Sequence, residues 1–594
     1  MIQMQWNMSA ILLNIVNDFR NINNIENKYI FILKMNKKQD SFREFRKLCK
    51  NISCCSSYKL KTDIIKKHLS NVNDVYLTIK FLLPNVNKII YNLNDKQLIK
   101  IFSSIFECST TNMLDHLEQG YISETIKTAF ETNEVIVPCK KSTISIKDVD
   151  IFLTALSTIT KYAQRLEYIK GFIGICTAND LKCIVMLIKH DLRINAGAKH
   201  VLDALHDNAY KAFNSSTDLK SIVDGYINNN LIIQSNIMIP IQPMLAEACN
   251  SIEHIIKKYQ NGMYVEIKYD GERVQIHKNK SNEFKFFSRN LKPVLSHKVD
   301  GLSEYISNNY NMGCSMILDS EIVVVCEDKI LPFGTLGIHK KSEYKNSQVC
   351  VFIFDCLFFN DINVMNMPYC ERRKILKEYI IEIPNRVMLS ECYTITCNDE
   401  LNNMIQKVIE EGIEGLVIKD IMSTYEPGKR HWLKIKKDYL QVQSIIDSVD
   451  LVVLGAYYGK GSKGGKMSIF LMGCYDPIER NWRTVTKCST GYNIKTLEKI
   501  QNELTMIKIG KQECNIPSWL KIKKIYYPDF IVEDPTKSPV WEVTGASFSK
   551  SMSHTADGIS IRFPRFTRIR DDKDWLQATN LSYLKILFSN SCYQ

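Results

Sequence analysis

The stretch Glu266-Ile267-Lys268-Tyr269-Asp270-Gly271-Glu272-Arg273 packs acids, a lysine and an arginine into a few residues. Val265, Ile267 and Tyr269 share one parity, and Glu266, Lys268 and Asp270 share the other. Strand side chains alternate faces, so Glu266 and Lys268 are expected to project together, off the core face. Asp270-Gly271 stands before a second alternating run, Val274-Gln275-Ile276-His277, and reads as a hairpin turn that brings Arg273 back on the return strand. A lysine held between acidic and basic neighbours at such a turn is a candidate nucleophile. The same residues equally fit an ordinary surface hairpin with its charges outward.

Four further groups carry chemistry. Phe286-Phe287-Ser288-Arg289-Asn290 places an arginine just past an aromatic strand, and Leu318-Asp319-Ser320-Glu321-Ile322-Val323 places acids at a strand start. Glu414-Gly415-Leu416-Val417-Ile418-Lys419 has an acid and a base around a strand, and Lys434 and Lys436 share a face across Ile435. A regular strand after Glu414 would send Glu414 and Lys419 to opposite sides unless Gly415 breaks the parity. Each group alone fits a salt-bridged surface. Together they offer two carboxylates able to hold Mg²⁺ and several cations able to hold a triphosphate. That is the equipment of nucleotidyl transfer, where in-line geometry and charge stabilisation dominate.

The elements that must position these residues have three textures. From about Phe42 to Tyr226 the pattern is helical, with Ile64, Ile65 and Leu69, and then Val201, Leu202, Leu205, Ala209, Ala212 and Phe213, at helical spacing. Lys59, Lys61, Lys66 and Lys67 fall outside the first stripe and read as a solvated face. Gly197-Ala198-Lys199 offers backbone N–H groups at a helix start, a setting suited to a phosphate. Beyond the Pro240–Leu245 segment the texture is mixed α and β, with strand-like runs at 263–269, 284–287, 316–325, 350–359, 415–419 and 432–436. Leu401, Met404, Ile405, Val408 and Ile409 mark a helix between Asn398 and Gly412. After about 442 short strands with Gly turns suit a small barrel, interrupted by a Gly-, Lys- and Ser-rich loop at 459–466.

The 594 residues are ample for several cores, with 45% hydrophobic and 24% charged content. Lys+Arg 77 against Asp+Glu 64 gives +13, which favours a polyanionic partner. The 19 cysteines show no C-x-x-C pairing, which argues against a zinc module and for reduced thiols in a cytosolic or nuclear compartment. Neither a signal peptide nor an apolar run of membrane-spanning length is apparent. Residues 1–34, rich in Asn and Ile, read as a disordered extension, or as the product of a start codon upstream of Met35.

In order along the chain, these motifs resemble those of the ATP-dependent DNA ligases, within the covalent nucleotidyltransferases, and especially the compact poxvirus-type ligases. The K-x-D-G signature is Lys268-Tyr269-Asp270-Gly271, followed by Ser288-Arg289-Asn290, Asp319–Val323, Phe354-Asp355, Glu414–Lys419, Trp432–Tyr439 and the terminal run Arg562–Lys573. Gln242–Ala246, Leu192-Arg193-Ile194 and Phe42–Cys49 extend the likeness to roughly residues 40–580. The Asn, Ile and Lys usage fits an AT-rich, insect-poxvirus-like genome.

The resemblance implies a multidomain fold. After the extension come an all-α DNA-binding domain (35–230), an α+β adenylyltransferase domain of ligase type, ATP-grasp-like (231–440), and a C-terminal β-barrel OB-fold (441–594). It implies Lys268 as the nucleophile toward ATP, Glu266 reading adenine, Phe354 stacking on the base, and Arg273 and Arg289 near ribose and phosphate. Glu321 and Glu414 would lie near the sugar and two divalent cations, expected to be Mg²⁺. Lys419, Lys434 and Lys436 would hold phosphates, and Arg570, Asp572 and Lys573 would orient pyrophosphate. The expected partner is nicked double-stranded DNA, encircled by a monomer away from any membrane, in the cytoplasm at viral replication sites, serving replication, repair and recombination. An RNA ligase or mRNA guanylyltransferase of the same superfamily is the nearest alternative, and a catalytically inactive DNA-binding scaffold is the alternative of another class.

Overall fold

The computed structural model describes residues 40–592 apart from 87–88, 119, 250, 261, 300, 309–314, 332–334, 338–345, 412, 437–447 and 546. The expected extension 1–34, the helix stop at Gly412, the end of the Trp432–Tyr439 motif and the boundary at 440/441 lie outside the described residues. The chain divides into two compact units. One is formed by the described residues up to Tyr210 with Leu219–Leu231 and Gly459–Gly465, the other by Lys211–Asp218, Ile232–Tyr458 and Lys466 onward.

The first unit is helical from Phe42–Cys54 to Leu219–Ile227. In Phe42–Cys54 the buried residues Phe42, Phe45, Leu48, Cys49 and Ile52 follow the i, i+3, i+4 stripe, and the Ser41 side chain accepts from the Arg43 N–H at the start. Reciprocal capping boxes at Asn94/Gln97, Ser145/Asp148 and Thr177/Asp180 satisfy the first-turn donors of three more helices. Asp180, fully buried, also takes the Arg46 guanidinium at 2.7 Å.

The solvated face expected of four lysines holds for Lys59, Lys66 and Lys67, which are exposed, but not for Lys61. Lys61 is 3% exposed and donates to the Ile194 and Asn195 carbonyls at 2.7 and 3.1 Å. Arg193 and Asn195 hold positive φ (54° and 49°), and the carbonyls of this tight turn, that of buried Ile194 above all, take their donor from the Lys61 side chain. Sequence periodicity cannot register such a demand. Beside the turn, Gly197 precedes the helix Ala198–Leu205 with no side-chain cap, and a cavity of about 900 Å³ is lined by Ser53, Tyr58, Lys61, Arg193, Lys199 and His200 among others.

The second unit opens with twelve strands in chain order: β1 (Leu245–Ala248), β2 (Met263–Ile267), β3 (Glu272–Lys278), β4 (Phe284–Ser288), β5 (Met316–Cys326), β6 (Lys329–Ile330), β7 (Gln348–Phe359), β8 (Ile362–Asn363), β9 (Val387–Leu389), β10 (Cys392–Ile395), β11 (Gly415–Asp420) and β12 (Arg430–Lys436). They form two sheets, one in the order β1-β12-β11-β2-β10, the other β4-β3-β5-β7-β8 with β6 on β5 and β9 on β7. β2 and β3 therefore lie in different sheets, and the hairpin expected at Asp270-Gly271 is a crossover. Gly271 is required there for close approach, since a Cβ would meet the Ile322 carbonyl oxygen at 2.2 Å.

One face of the first sheet is a core of Val265, Ile267, Tyr269, Leu416, Ile418, Leu433 and Ile435, packed with Leu401, Ile405 and Val408 of the helix Asn398–Glu410. The opposite face carries Glu266 and Lys419 beside a second apolar cluster that includes Val417 and Trp432. Farther on, β13 (Ser448–Tyr458), β14 (Met467–Asp476) and β15 (Asn481–Cys488) lead an eight-stranded, barrel-like sheet closed around Trp541, Phe470, Val453 and Val485. That is the C-terminal OB-fold. The described cysteines, including Cys54 and Cys55, are free thiols. Among the described residues no helix is long and apolar enough to cross a membrane.

Candidate active site

Lys268 lies one residue past β2, its N–H donating to the Gly415 carbonyl at 2.9 Å. Its ammonium pairs with Glu414, and Glu414 also pairs with Lys436. Gly415 makes this possible. With φ at 152° and a hypothetical Cβ 2.1 Å from the Ile435 oxygen, it bends the entry to β11 as only glycine can. Glu414 and Lys419 thus both reach the polar side of the sheet, against the simple parity rule.

Lys434 and Lys436 stand on β12 beside them, half-buried. Burial, then the charges of Lys436, Lys268 and Arg289, push the Lys434 ammonium below its usual range, with Glu414 opposing. Arg289 itself is exposed just past β4. Glu321, paired in register with Arg273 across β3 and β5, is pushed up to about 7 by burial and by Asp319 and Glu414, with Lys268 and Arg273 opposing.

Arg273 is anchored on Asp319. Burial disfavours its charge, yet Asp319, held at 2.9 and 2.5 Å, outweighs burial and fixes the guanidinium charged. It also donates to the Met244 carbonyl at 2.7 Å and stands over the rings of Phe354 and Trp432.

Lys419 departs from its expected place. Instead of joining Lys268, Lys434 and Lys436, it pairs with Glu266 at 2.9 Å, its ammonium 4.5 to 4.8 Å from the ring centroids of Trp432, Tyr369 and Phe354. The strand register explains this: Lys419 stands opposite Tyr264 and Val417 opposite Glu266, two steps along β2 from Lys268. Glu266 also accepts from the Tyr369 hydroxyl and from Ser390 Oγ at 3.2 Å. Neither Tyr369 nor Ser390 carries a motif signal; a buried carboxylate with unfilled lone pairs was the only clue to them.

At the C-terminal end, Arg570 binds Asp450 at 3.0 Å and Asp572 at 2.7 Å, and Lys573 binds Asp450 at 2.7 Å. The structure thus keeps Arg570, Asp572 and Lys573 on β13 and does not bring them to Lys268. Arg562 comes instead, donating to Asp270 of the K-x-D-G loop at 2.8 and 3.3 Å.

Among the described residues no group of three or more His, Cys, Asp or Glu side chains converges as a metal site. Glu321 and Glu414 are near enough for their charges to interact, and a pair of carboxylates completed by substrate phosphates is a donor set that magnesium accepts.

Fold and site together define a nucleotidyl-transferring enzyme. The profile of the ATP dependent DNA ligase domain matches residues 243–436, that of the DNA ligase N terminus 41–206, and that of the ATP dependent DNA ligase C terminal region 463–573. The DNA ligase of Vaccinia virus (strain Copenhagen) is 54% identical over 546 residues, covering 92% of this chain and 99% of that protein. The DNA ligase of Fowlpox virus (strain NVSL) is 47% identical over 558 residues, covering 93% and 98%. The solved structure Pmar-Lig_PreS3 shares the fold at a TM-score of 0.55 and 16% identity, covering 89% of this chain and 99% of that one. The chain belongs to the ATP-dependent DNA ligase family.

Proposed function

We propose that this ligase seals nicks in duplex DNA through a lysyl-adenylate on Lys268. The observation that carries the reading is the placement of Lys268, at the end of the strand that bears Glu266, on a carboxylate shared with a second lysine and beside a third. To attack, Nζ must present a lone pair, and Glu414, already holding one of its protons, is the acceptor within reach. Nζ then bonds the α-phosphorus of ATP, the bond to the β-phosphate oxygen breaks, and pyrophosphate leaves. Lys434 and Lys436 stabilise the charge that gathers on the phosphates. A divalent cation, for which we take two ions with Glu321 and Glu414 as ligands, supplies charge neutralisation at those oxygens. Glu266 reads the adenine amino group, Phe354 covers the base, and Arg273 and Arg289 serve the ribose and phosphate side.

In the second and third steps AMP passes to the 5′-phosphate at the nick, and the 3′-hydroxyl displaces it. Arg562 on Asp270 holds the barrel against the nucleophile loop for these steps, whereas Arg570 and Lys573 leave Asp450 to meet pyrophosphate during the first. The helical residues Lys199 and the Gly197 helix start provide sequence-independent contacts to the DNA backbone. We read the chain as a monomer around the duplex, acting in the cytoplasm, with modules at 35–230, 231–440 and 441–594. Sedimentation of the nick complex checks the first point and a fluorescent fusion the second.

The deciding experiment supplies labelled ATP and GTP separately and then a nicked DNA duplex beside an all-RNA nick, with magnesium. Labelling by ATP and sealing of DNA are expected. Labelling by GTP alone, or sealing confined to RNA, would reverse the assignment.

A further inference from the structure

We propose that Tyr369 is the positioning residue for nucleobase selection, holding the Glu266 carboxylate so that one lone pair remains for a 6-amino purine. The proposal rests on the reading of Glu266 as the base-reading group.

A carboxylate offers two oxygens and about four lone-pair sites. Oε2 of Glu266 takes Lys419 at 2.9 Å and Ser390 Oγ at 3.2 Å, while Oε1 takes the Tyr369 hydroxyl. Among the described residues, one acceptor position on Oε1 is left over. Glu266 is 2% exposed, so that position is shielded from bulk water and, on the reading above, serves the base. It matches an exocyclic amino group, which only donates. A 6-oxo purine would set oxygen against oxygen with no proton between them, and a buried mismatch of that kind is the efficient way to reject a substrate.

The tyrosine is built to stay in place as a donor. Its hydroxyl also lies 2.7 Å from the Phe354 carbonyl and receives the Lys419 ammonium at 3.0 Å, so its one proton goes to the charged acceptor, Glu266. Burial first, then Glu266, pushes the phenol well above its ordinary value, keeping the O–H intact. Behind it, the helix Tyr369–Tyr379 is pinned to β7 by Arg372 on Asp355 at 2.7 and 3.0 Å, with both side chains fully buried. Arg373 of the same helix donates to Ser390 Oγ at 3.0 Å and so fixes the second neutral donor. One helix thereby sets both neutral hydrogen bonds on Glu266. Without the Tyr369 proton, Oε1 is free to rotate toward Lys419, and its open lone pair no longer has a defined direction.

The test measures KM for formation of the labelled lysyl-adenylate with ATP and with purine-riboside triphosphate, which lacks the 6-amino group, together with Kd for a nicked duplex. Tyr369→Phe should raise KM for ATP about tenfold, the worth of one buried hydrogen bond to a charged group, while moving KM for the analogue less than about twofold. Kd for the nick should stay unchanged, and Ser390→Ala should shift KM for ATP the same way by a smaller factor. A parallel rise for both triphosphates, or none for ATP, would overturn the positioning role. Glu266→Gln is the separate arm. If it leaves the preference for ATP over the analogue intact, the base-reading assignment itself fails and takes the proposal with it. If it abolishes that preference while Tyr369→Phe does not, only the proposal for Tyr369 fails.

Discussion

The two ends of the proposed nucleotide site are built on opposite electrostatic plans. At the base end, Glu266, Lys419 and Tyr369 are almost fully buried, the charges are paired, and the hydrogen bonds close on one another. At the proposed phosphate end, Lys268 and Lys436 pair with Glu414, Lys434 stands beside them, Glu321 lies within electrostatic reach of Lys268, and the lysines remain partly open to solvent, with Arg289 adding to the field. The first arrangement leaves one acceptor position on Glu266 and, on the reading proposed above, serves discrimination. The second gathers lysines whose like charges push one another, and on the same reading it serves binding and chemistry.

The sharpest way to break this contrast is at the nucleophile. Lys268→Ala should lower adenylate formation by more than about a thousandfold while leaving nick binding intact, because the variant lacks the proposed nucleophile. Labelling with α-labelled ATP, beside a gel-shift on nicked duplex, checks it. Undiminished labelling would move the nucleophile elsewhere.

The next pair of variants compares the ends directly. Lys419→Met strands a buried carboxylate and should cost about 3–5 kcal/mol of stability, the usual result of breaking one side of a buried ion pair. Lys434→Ala should leave the melting temperature unchanged or higher, since it removes like-charge repulsion, yet slow adenylation about a hundredfold. Thermal melts run with adenylation assays decide it. If both variants lose stability equally, the two ends are not differently built.

The C-terminal arginines extend the contrast to the steps of the reaction. Arg562→Ala should slow sealing of a nick by pre-adenylated enzyme about tenfold and spare adenylate formation, whereas Arg570→Ala should do the reverse. Single-turnover assays of each step separate them. Equal losses in both steps would show that the Arg562–Asp270 contact is not specific to sealing.

How far the sequence could be read follows the same division. Residues that act through their own charge were visible as types and spacings, as Lys268, Glu321, Glu414, Lys434 and Lys436 were. Residues whose place depends on which strands become neighbours were not. Asp270-Gly271 has the composition of a hairpin turn, but Gly271 serves a close approach to Ile322, and the chain crosses between sheets. Lys419 belongs to the same motif as Glu414, but pairing of β11 with β2 carries it to the base end. Lys61 looked like one more surface lysine until the carbonyls of a distant turn were placed above it. Tyr369 has no motif at all. The three textures of the chain, helical, mixed and barrel-like, were legible because each has its own hydrophobic period, which depends only on local sequence.

The smallest expected effect tests whether the phosphate end is poised by charge. Burial first raises Glu321 to about 7, with Asp319 and Glu414 adding and Lys268 and Arg273 opposing. A carboxyl raised in the folded state keeps its proton there after the unfolded chain has lost it. Its contribution to stability is therefore fully present below about 4.5 and falls as pH rises toward 7. Function runs the other way, because the ionised carboxylate suited to a divalent cation accumulates only as pH passes that value. Adenylate formation at subsaturating magnesium should rise severalfold between about pH 6 and 8, and Glu321→Gln should flatten that rise. The melting temperature of Glu321→Gln relative to the parent should climb over the window from about 4.5 to about 7. If the parent's profile is flat, or if the variant keeps the same rise, the charge balance at the phosphate end is already settled in the free protein. The two ends would then differ in exposure alone.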